Sequence, residues 1–298
     1  MMKIAGHTMG TPEYSLPEAI RFFSSIGLEG IEIIVQTDGY KCAIDLNADV
    51  PEIAAIKKLL HENNLAVACL TPYLNLFNSV DEAERKAECE RLRKVILLAE
   101  VLDAPSIRIY GGKFVTGEID KDGLKIAQLV KSMRECGEFA KTHNVKLCME
   151  NHFGTMTTTA AKSAEIACLI NHPNVGILYD QANIAFFPAE EFEEAIRLQT
   201  SKIFHVHVKD LVYKEVAGGL VCSEVSHIKE SERTVSSRIP GEGILDWPSI
   251  LARLKKSGYD GWLSLEYERR WQTIDLPHAA EGMPRAFHYI KNIIDYLE

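Results

Sequence analysis

Short β-type runs and helical stretches alternate along the whole chain of 298 residues. Each run is rich in apolar and β-branched residues, and each is followed by a stretch with apolar residues at three- and four-residue spacing. The eight predicted strands are Lys3–His7, Gly30–Val35, Ala66–Thr71, Ser106–Tyr110, Lys146–Glu150, Gly176–Asp180, Ile203–Val208 and Trp262–Glu266. Strict alternation predicts a parallel sheet that is covered by helices.

The number of units favours one architecture within the α/β class. Eight units, with no glycine-rich phosphate loop after the first strand, favour a (β/α)8 TIM barrel over a doubly wound sheet. No linker rich in Pro, Gly or Ser divides the chain, so we expect one domain over residues 1–298. A typical barrel has ~250 residues. The surplus is a long loop at about 211–245 after the seventh strand, placed to cover the strand ends.

Composition excludes several classes of protein. The chain has 33 Lys and Arg against 42 Asp and Glu, and an acidic protein makes few phosphate contacts, so we expect no nucleic-acid partner. No apolar stretch reaches membrane-spanning length, so we expect no membrane partner. The first residues form no signal region, and the seven cysteines are scattered without a CxxC pair. These features predict a cytoplasmic enzyme.

Four ionisable residues end four successive predicted strands. They are Glu150, Asp180, His207 and Glu266. The carboxyl ends of barrel strands meet at one mouth. Three carboxylates and an imidazole, without thiolate, suit Mn²⁺, Mg²⁺, Co²⁺ or Zn²⁺, and the oxygen-rich set favours Mn²⁺. The alternative is a group of ordinary strand-end salt bridges. Because buried ionisable residues are costly unless paired or metal-bound, four strands contributing one each favours a metal site.

Strand periodicity places further polar residues on the same faces. His205 lies one layer deeper than His207 and is predicted to be a buried partner that fixes His207 or a carboxylate. Lys209 lies one step nearer the mouth, where it would bind a substrate oxygen or neutralise Glu266. His152, two residues after Glu150, is predicted to contact the substrate.

The first four strands contribute weaker candidates. His7 and Arg108 are predicted to contact the substrate; the alternatives are a hydrogen-bonded core histidine and an arginine paired with a neighbouring carboxylate. Glu32 could accept a hydrogen bond from a sugar hydroxyl, but an ion pair at the barrel rim is the preferred interpretation.

Five segments in the second half resemble the xylose-isomerase-like sugar phosphate isomerase/epimerase superfamily. They are Met149-Glu150-Asn151-His152, Tyr179-Asp180, His205 to Asp210, Pro240-Gly241-Glu242-Gly243 with Asp246-Trp247, and Gly258 to Glu266. The resemblance implies a TIM barrel with one divalent ion on Glu150, Asp180, His207 and Glu266. Similarity to the ketose 3-epimerase branch implies that Glu150 and Glu266 are also the catalytic acid/base pair, that the substrate is a small sugar or polyol, and that the chain assembles as a homodimer or homotetramer.

The implied chemistry suits these residue types. Removal of a proton next to a carbonyl creates an enediolate, whose charge a chelating metal ion stabilises. Two carboxylates on opposite faces can remove the proton from one side and return it to the other. The sequence therefore predicts a metal-dependent sugar isomerase or epimerase.

Two positions depart from the 3-epimerase pattern. A sugar-binding His usually lies three residues after the metal-binding Asp, and this chain has Asn183, which we place among the substrate-binding residues. An Arg is common six residues after the metal-binding His, and this chain has Tyr213. The polar wall around the substrate therefore differs from that of 3-epimerases.

Other functions of related barrels stay open. An inosose dehydratase type or a C-glycoside-cleaving type would use the same ion and the same proton abstraction on a keto-polyol or keto-glycoside. An endonuclease IV type needs extra histidines on the third and fourth strands and an Asp-x-His after the seventh, and this chain has none of them there. A noncatalytic sugar-binding barrel would not need two acid/base glutamates.

Overall fold

Eight parallel strands form the centre of the molecule. The structure, a computed structural model, describes residues 1–37, 39–186, 190–215 and 220–298. The described residues form these eight barrel strands and three further strands. In chain order they are β1 (Lys3–His7), β2 (Gly30–Val35), β3 (Ala43–Ile44), β4 (Ala66–Pro72), β5 (Ser106–Ile109), β6 (Lys146–Glu150), β7 (Val175–Asp180), β8 (Ile203–Val208), β9 (Asp210–Tyr213), β10 (Val235–Arg238) and β11 (Trp262–Leu265). The three further strands are β3, β9 and β10.

The barrel closes through β1. This strand pairs in parallel with β11 on one side and with β2 on the other, and the remaining order is β11, β8, β7, β6, β5, β4, β2. The short β3 pairs with the end of β2 and lies outside the barrel. The predicted (β/α)8 TIM barrel is confirmed, and each predicted strand agrees with the observed strand to within one residue.

Helices surround the barrel. They are α1 (Leu16–Ser25), α2 (Val50–Glu62), α3 (Glu82–Val101), α4 (Leu124–Thr142), α5 (Ala160–Ile170), α6 (Gln181–Ile184), α7 (Phe192–Gln199), α8 (Trp247–Lys256) and α9 (Ala279–Leu297). The short α6 lies at the mouth of the barrel, directly after β7. Ser15 and Glu18 form a reciprocal capping box at the start of α1. None of the described helices is long and apolar enough to cross a membrane.

Strand β2 shows how the barrel separates apolar from polar side chains. Ile31, Ile33 and Val35 belong to the main apolar core. Glu32 lies between two of them and points to the opposite face, where it contacts other polar side chains of the barrel interior. The alternation therefore buries aliphatic residues against the helices and directs single charged residues into the barrel.

The long segment after β8 contains a hairpin that the sequence did not predict. Strands β9 and β10 pair antiparallel, and residues 216–219 of this predicted loop lie outside the described residues. Asp210 holds the base of the segment, because its carboxylate accepts backbone hydrogen bonds from Leu211, Gly241, Gly243 and Leu245 at 2.9–3.2 Å. A Cβ on Gly243 would lie 2.1 Å from Asp210 Oδ1, so only glycine fits there.

The same segment reaches the mouth of the barrel. Cys222 and Ile228 pack against Phe153, which follows β6. Ser226 and Ile228 line a small cavity together with Glu266. The expectation that this loop covers the strand ends agrees with this placement.

Candidate metal centre

Four buried side chains converge at the mouth. Glu150, Asp180 and His207 lie on β6, β7 and β8, and Glu266 directly follows β11. One potential ligand atom from each lies within 4.8 Å of the others. The sequence placed these residues on four strand ends, and the closed barrel brings the four ends together.

The His207 ring is oriented by carboxylates on both sides. Its Nδ1 lies 3.2 Å from Glu150 Oε1, 3.2 Å from Glu266 Oε2 and 3.8 Å from Asp180 Oδ2. Its Nε2 lies 3.1 and 3.2 Å from the two oxygens of Glu32. If Nε2–H donates to Glu32, the Nδ1 lone pair faces the three other carboxylates. Nδ1 is therefore the nitrogen that could bind an ion.

Glu32 has a larger role than the sequence indicated. It lies in the barrel interior rather than at the rim, is fully buried, and contacts His205 Nε2 at 2.9 Å and His7 Nε2 at 3.5 Å as well as His207. The Thr71 hydroxyl donates to its Oε1. The one sequence feature that could have indicated this role is the position of Glu32 as the single charged residue in the apolar run Gly30–Val35.

His205 and His7 are both positioned through Glu32. His205 is fully buried and contacts Glu32, and Glu32 contacts His207. This chain of contacts is consistent with the predicted role of His205 as a buried partner that fixes His207 or a carboxylate. His7 Nδ1 accepts a hydrogen bond from the Met9 backbone, and its ring meets the His207 ring edge-on at 5.6 Å. The substrate contact of His7 stays a prediction.

Lys209 lies beside the potential ligands. Its Nζ is 3.0 Å from Asp180 Oδ2, 2.7 Å from Glu266 Oε2 and 3.3 Å from Glu268 Oε1. Burial would lower its pKa, but these carboxylates raise the pKa well above the usual value for lysine. The predicted neutralisation of Glu266 agrees with this geometry.

Arg108 is buried against aromatic rings. Its Nη2 pairs with Glu150 Oε2, and its guanidinium carbon lies 3.7 Å from the centroid of the Tyr110 ring and 5.7 Å from that of Tyr73. Arg108 Nε and Nη1 have no hydrogen-bond partner among the described residues. One side of this arginine therefore supports Glu150, and its other nitrogens stay available to a ligand.

His152 and Asn183 complete the set of predicted substrate residues. The His152 ring packs on Tyr110 at 4.9 Å between ring centroids, and its Nδ1 lies 2.8 Å from the Phe153 carbonyl oxygen. Burial lowers the pKa of His152 to about 4. Asn183 Nδ2 donates to Asp180 Oδ2 at 3.0 Å and to Glu150 Oε1 at 3.3 Å. Asn183 thus contacts two potential ligands, and its contact with a substrate stays a prediction.

Tyr213 lies apart from this site. Half of its side chain is exposed, and its hydroxyl donates to the Ala185 carbonyl oxygen at 2.8 Å. The residue at the position of the epimerase arginine therefore supports the loop after β7.

The electrostatics of the centre favour a bound cation. In the described structure Arg108 pairs with Glu150, and Lys209 lies beside Asp180, Glu266 and Glu268. The fifth carboxylate, that of Glu32, contacts His207 from behind. Burial would raise the pKa of Glu266, but His207 and Lys209 hold it well below its usual value. Burial raises the pKa of Asp180.

The donor set therefore fits a divalent metal ion. Three carboxylates and one imidazole are hard and borderline ligands of the kind that hold Mn²⁺, Mg²⁺, Co²⁺ or Zn²⁺. Glu32 supplies the hydrogen bond that a metal-binding imidazole usually makes through its other nitrogen. Glu150, Asp180, His207 and Glu266 are the residues that could hold the ion.

Comparison with known proteins finds one family model and several similar proteins. Residues 20–293 match the family model described as xylose isomerase-like TIM barrel. The inosose dehydratase of Clostridium tetani is 26% identical over 141 residues, covering 47% of this chain and 46% of the relative. The matched segments span about half the length of the first curated relatives.

Two solved structures share the whole fold. One is an L-ribulose 3-epimerase, with a TM-score of 0.77 and 18% identity over 100% of this chain and 96% of the other. Another is a probable 3-DHS dehydratase involved in petrobactin synthesis from Bacillus anthracis, with a TM-score of 0.75 and 19% identity over 98% and 99%. At these identities the likeness establishes the barrel alone.

Proposed function

Because this chain belongs to the xylose isomerase-like TIM barrel family, we propose that it is a metal-dependent isomerase or epimerase of a small sugar or polyol. The observation that carries this proposal is the pair formed by Glu150 and Glu266. Each has an oxygen 3.2 Å from His207 Nδ1, and strands β7 and β8 lie between the two strands, β6 and β11, that position these glutamates.

Each group of residues at the site has a separate role in the proposed reaction. A divalent ion, when bound by Glu150, Asp180, His207 and Glu266, would stabilise the charge of an enediolate. One glutamate takes the proton next to the carbonyl, and the other returns a proton to the opposite face. Arg108 lowers the pKa of Glu150 against the effect of burial, which keeps that carboxylate ionised and able to accept a proton.

The surroundings of the pair exclude bulk water. Glu150 and Glu266 are buried, and the inner cavity beside Glu266, which Phe186, Ile228 and Trp271 help to line, has a volume of about 30 Å³. This volume holds about one water molecule. Exclusion of water from the site would protect the enediolate from solvent protons.

Two measurements test this proposal. Elemental analysis of the wild type and Glu150→Gln is expected to find about one ion per chain, reduced in the variant. A panel of ketoses and keto-polyols, incubated with Mn²⁺-loaded protein in D₂O, is expected to gain deuterium at the carbon next to the carbonyl. No ion after Mn²⁺ loading, or no exchange with any panel member, would contradict the proposal.

A dehydratase is the second candidate. Lys209 Nζ lies 2.7 Å from Glu266 Oε2, so an ammonium group stands where it could protonate a leaving hydroxyl after Glu150 or Glu266 removes the α-proton. The first curated relatives are named inosose dehydratases, which also supports this candidate. An epimerase retains every carbon and oxygen atom of its substrate and exchanges only the hydrogen next to the carbonyl, whereas a dehydratase loses water and yields an unsaturated product that absorbs ultraviolet light.

A further inference from the structure

A second, larger cavity adjoins the candidate metal centre. This outer cavity has a volume of about 580 Å³ and is lined by the ends of β2 and β4, at Val35 and Pro72. Trp271 and Ser226 line both the outer cavity and the inner cavity beside Glu266. The outer cavity therefore continues the candidate site away from the potential metal ligands.

The charged side chains that line the outer cavity all carry the same sign. Among the described lining residues, Arg91, Lys94 and Arg270 are cations and none is acidic. The chain as a whole carries a formal charge of −9, so this lining runs against the overall charge of the protein. A cavity lined by charges of one sign attracts a ligand of the opposite sign.

Two of the three cations come from the same face of α3. Arg91 and Lys94 are three residues apart, which places their side chains next to each other on the helix. Arg91 Nη1 lies 3.3 Å from Glu88 Oε2, but the other oxygen of that buried carboxylate accepts two backbone N–H groups of the loop before α3. Lys94 is exposed, and its side chain makes no ion pair or hydrogen bond with the described residues. The protein therefore balances the positive charge of this pair only in part.

Aromatic rings hold the third cation in place. The guanidinium carbon of Arg270 lies 4.6 Å from the ring centroid of Trp271 and 5.7 Å from that of Tyr73. The guanidinium carbon of Arg108 lies 5.7 Å from the same Tyr73 centroid. A single ring therefore connects the arginine of the metal centre to the outer cavity.

Two buried hydrogen-bond donors of the same wall have no partner. Within the described structure, no partner is found for the Tyr73 hydroxyl or for Trp271 Nε1, and both residues line the outer cavity. Burial raises the pKa of Tyr73, so its hydroxyl keeps its proton, and an indole N–H can only donate. A buried donor without an acceptor destabilises the folded protein. The oxygen atoms of an anion would supply the acceptors, beside the cations that would balance its charge.

From these observations we propose that the outer cavity is an anion-binding subsite, which holds a carboxylate or a phosphate monoester of the substrate while the carbonyl end lies at the metal centre. Arg91 and Lys94 supply the charge, and Tyr73 and Trp271 donate hydrogen bonds to the oxygen atoms of the anion. This inference rests on the proposed function and narrows its substrate class to sugars or polyols with a negative charge at the end remote from the carbonyl. A neutral ligand would leave the two cations of α3 without a counter-charge.

Calorimetric titration with unreactive probes tests the subsite without turnover. D-mannitol, D-mannonate and D-mannitol 1-phosphate share one polyol chain without a carbonyl group, and the two anions differ from mannitol at equivalent terminal carbons. We expect the Mn²⁺-loaded full chain to bind at least one of the anions tenfold or more tightly than mannitol, and the preference to weaken as salt increases. A preference for mannonate alone identifies a carboxylate subsite, and a preference for the phosphate alone identifies a phosphate subsite. Equal binding of all three probes would overturn the inference.

Variants of α3 test whether the anion binds in the outer cavity. The double variant Arg91→Gln/Lys94→Gln removes both charges and should lower the preference for the anion over mannitol at least fivefold. Lys86→Gln is the matched control, because Lys86 lies on the same helix, its side chain is 68% exposed and it is outside the cavity lining. This control should keep the wild-type preference. An unchanged preference in the double variant, or an equal loss in the control, would overturn the assignment of the anion to this cavity.

Solvent exchange separates this inference from the proposed function. Ketohexoses, and the same ketohexoses with a carboxylate or a phosphate at the carbon farthest from the carbonyl, are incubated with Mn²⁺-loaded protein in D₂O. We expect kcat/KM for deuterium incorporation to be at least tenfold higher for an anionic form than for its neutral parent. Preferential anion binding without exchange of any of these sugars would contradict the proposed function alone. Exchange with equal kcat/KM for neutral and anionic forms would support the proposed function and overturn the inference.

Discussion

The two halves of the barrel mouth use buried charge in different ways. Strands β6, β7 and β8, with the residue that follows β11, direct three carboxylates and His207 toward one point. Strands β1, β2, β4 and β5 contribute His7, Glu32, Thr71 and Arg108, which contact one another or the ligands from behind. The half with β6, β7 and β8, the ligand half, could hold an ion. The half with β1, β2, β4 and β5, the supporting half, orients the potential ligands and balances their charges.

This difference shows how such a charged centre can be buried. Each isolated charge at this depth would cost several kcal/mol. Arg108 compensates Glu150, Glu32 compensates His207, and Lys209 compensates Asp180 and Glu266. The centre is therefore one electrostatic unit, and the halves should respond differently when single members are changed.

The largest effect is expected in the half that carries the potential ligands. Glu150→Gln and Glu266→Gln should each reduce turnover by at least about 10³-fold, because an amide cannot exchange the substrate proton. Steady-state kinetics with saturating Mn²⁺ measures this loss. Glu268→Gln, two residues further along the chain, is the matched control and should stay within about tenfold of wild type. Wild-type turnover in Glu266→Gln would contradict the hypothesis that Glu150 and Glu266 form the acid/base pair.

A graded effect is expected in the supporting half. Glu32→Gln should weaken metal binding about 10–100-fold, because loss of the carboxylate partner leaves the His207 ring less basic and less well oriented. Calorimetric titration with Mn²⁺ measures the affinity. Thr71→Val removes one hydrogen bond to Glu32 but keeps its charge, so its effect should be smaller. If Glu32→Gln bound Mn²⁺ with wild-type affinity, Glu32 would have no role in orienting His207 for metal binding.

Asp210, which holds the start of the long segment after β8, should affect stability but not metal binding. Asp210→Asn replaces one acceptor oxygen by a donor facing backbone N–H groups of Gly241 or Gly243, and should lower the free energy of unfolding by about 1–3 kcal/mol. Chemical denaturation measures this change. Metal affinity should stay within twofold of wild type. A large loss of metal affinity would show that the segment after β8 also contributes to metal binding.

Metal binding should also depend on pH. Burial would lower the pKa of His207, but Glu266 and Glu32 raise it well above its usual value in the metal-free protein. A proton must leave the ring before an ion binds, so affinity falls as pH falls, by about tenfold per unit while one proton is displaced. Titrations across pH 5.5–8 measure the slope. In Glu32→Gln the dependence should move to lower pH, and a flat profile in the wild type would contradict this linkage.

Local pattern was enough to predict the fold and the four potential ligands. The run Gly30–Val35 and the other strand runs are short, apolar and β-branched, and such runs alternate with helical periodicity over the whole chain. Because parallel strand ends meet at one mouth, a single ionisable residue at each of four ends was sufficient to predict the cluster that contains Glu150 and His207. The assignment of roles to these residues stays a prediction.

Only the tertiary structure decided what surrounds the four residues. Glu32 and His207 are 175 positions apart, and no periodicity relates β2 to β8. Their contact exists because β1 pairs with both β11 and β2, which closes the barrel and brings the inner faces of distant strands together. Sequence pattern determines which face of a strand a side chain occupies, whereas its partners across the barrel depend on closure, and closure is a property of all eight strands together.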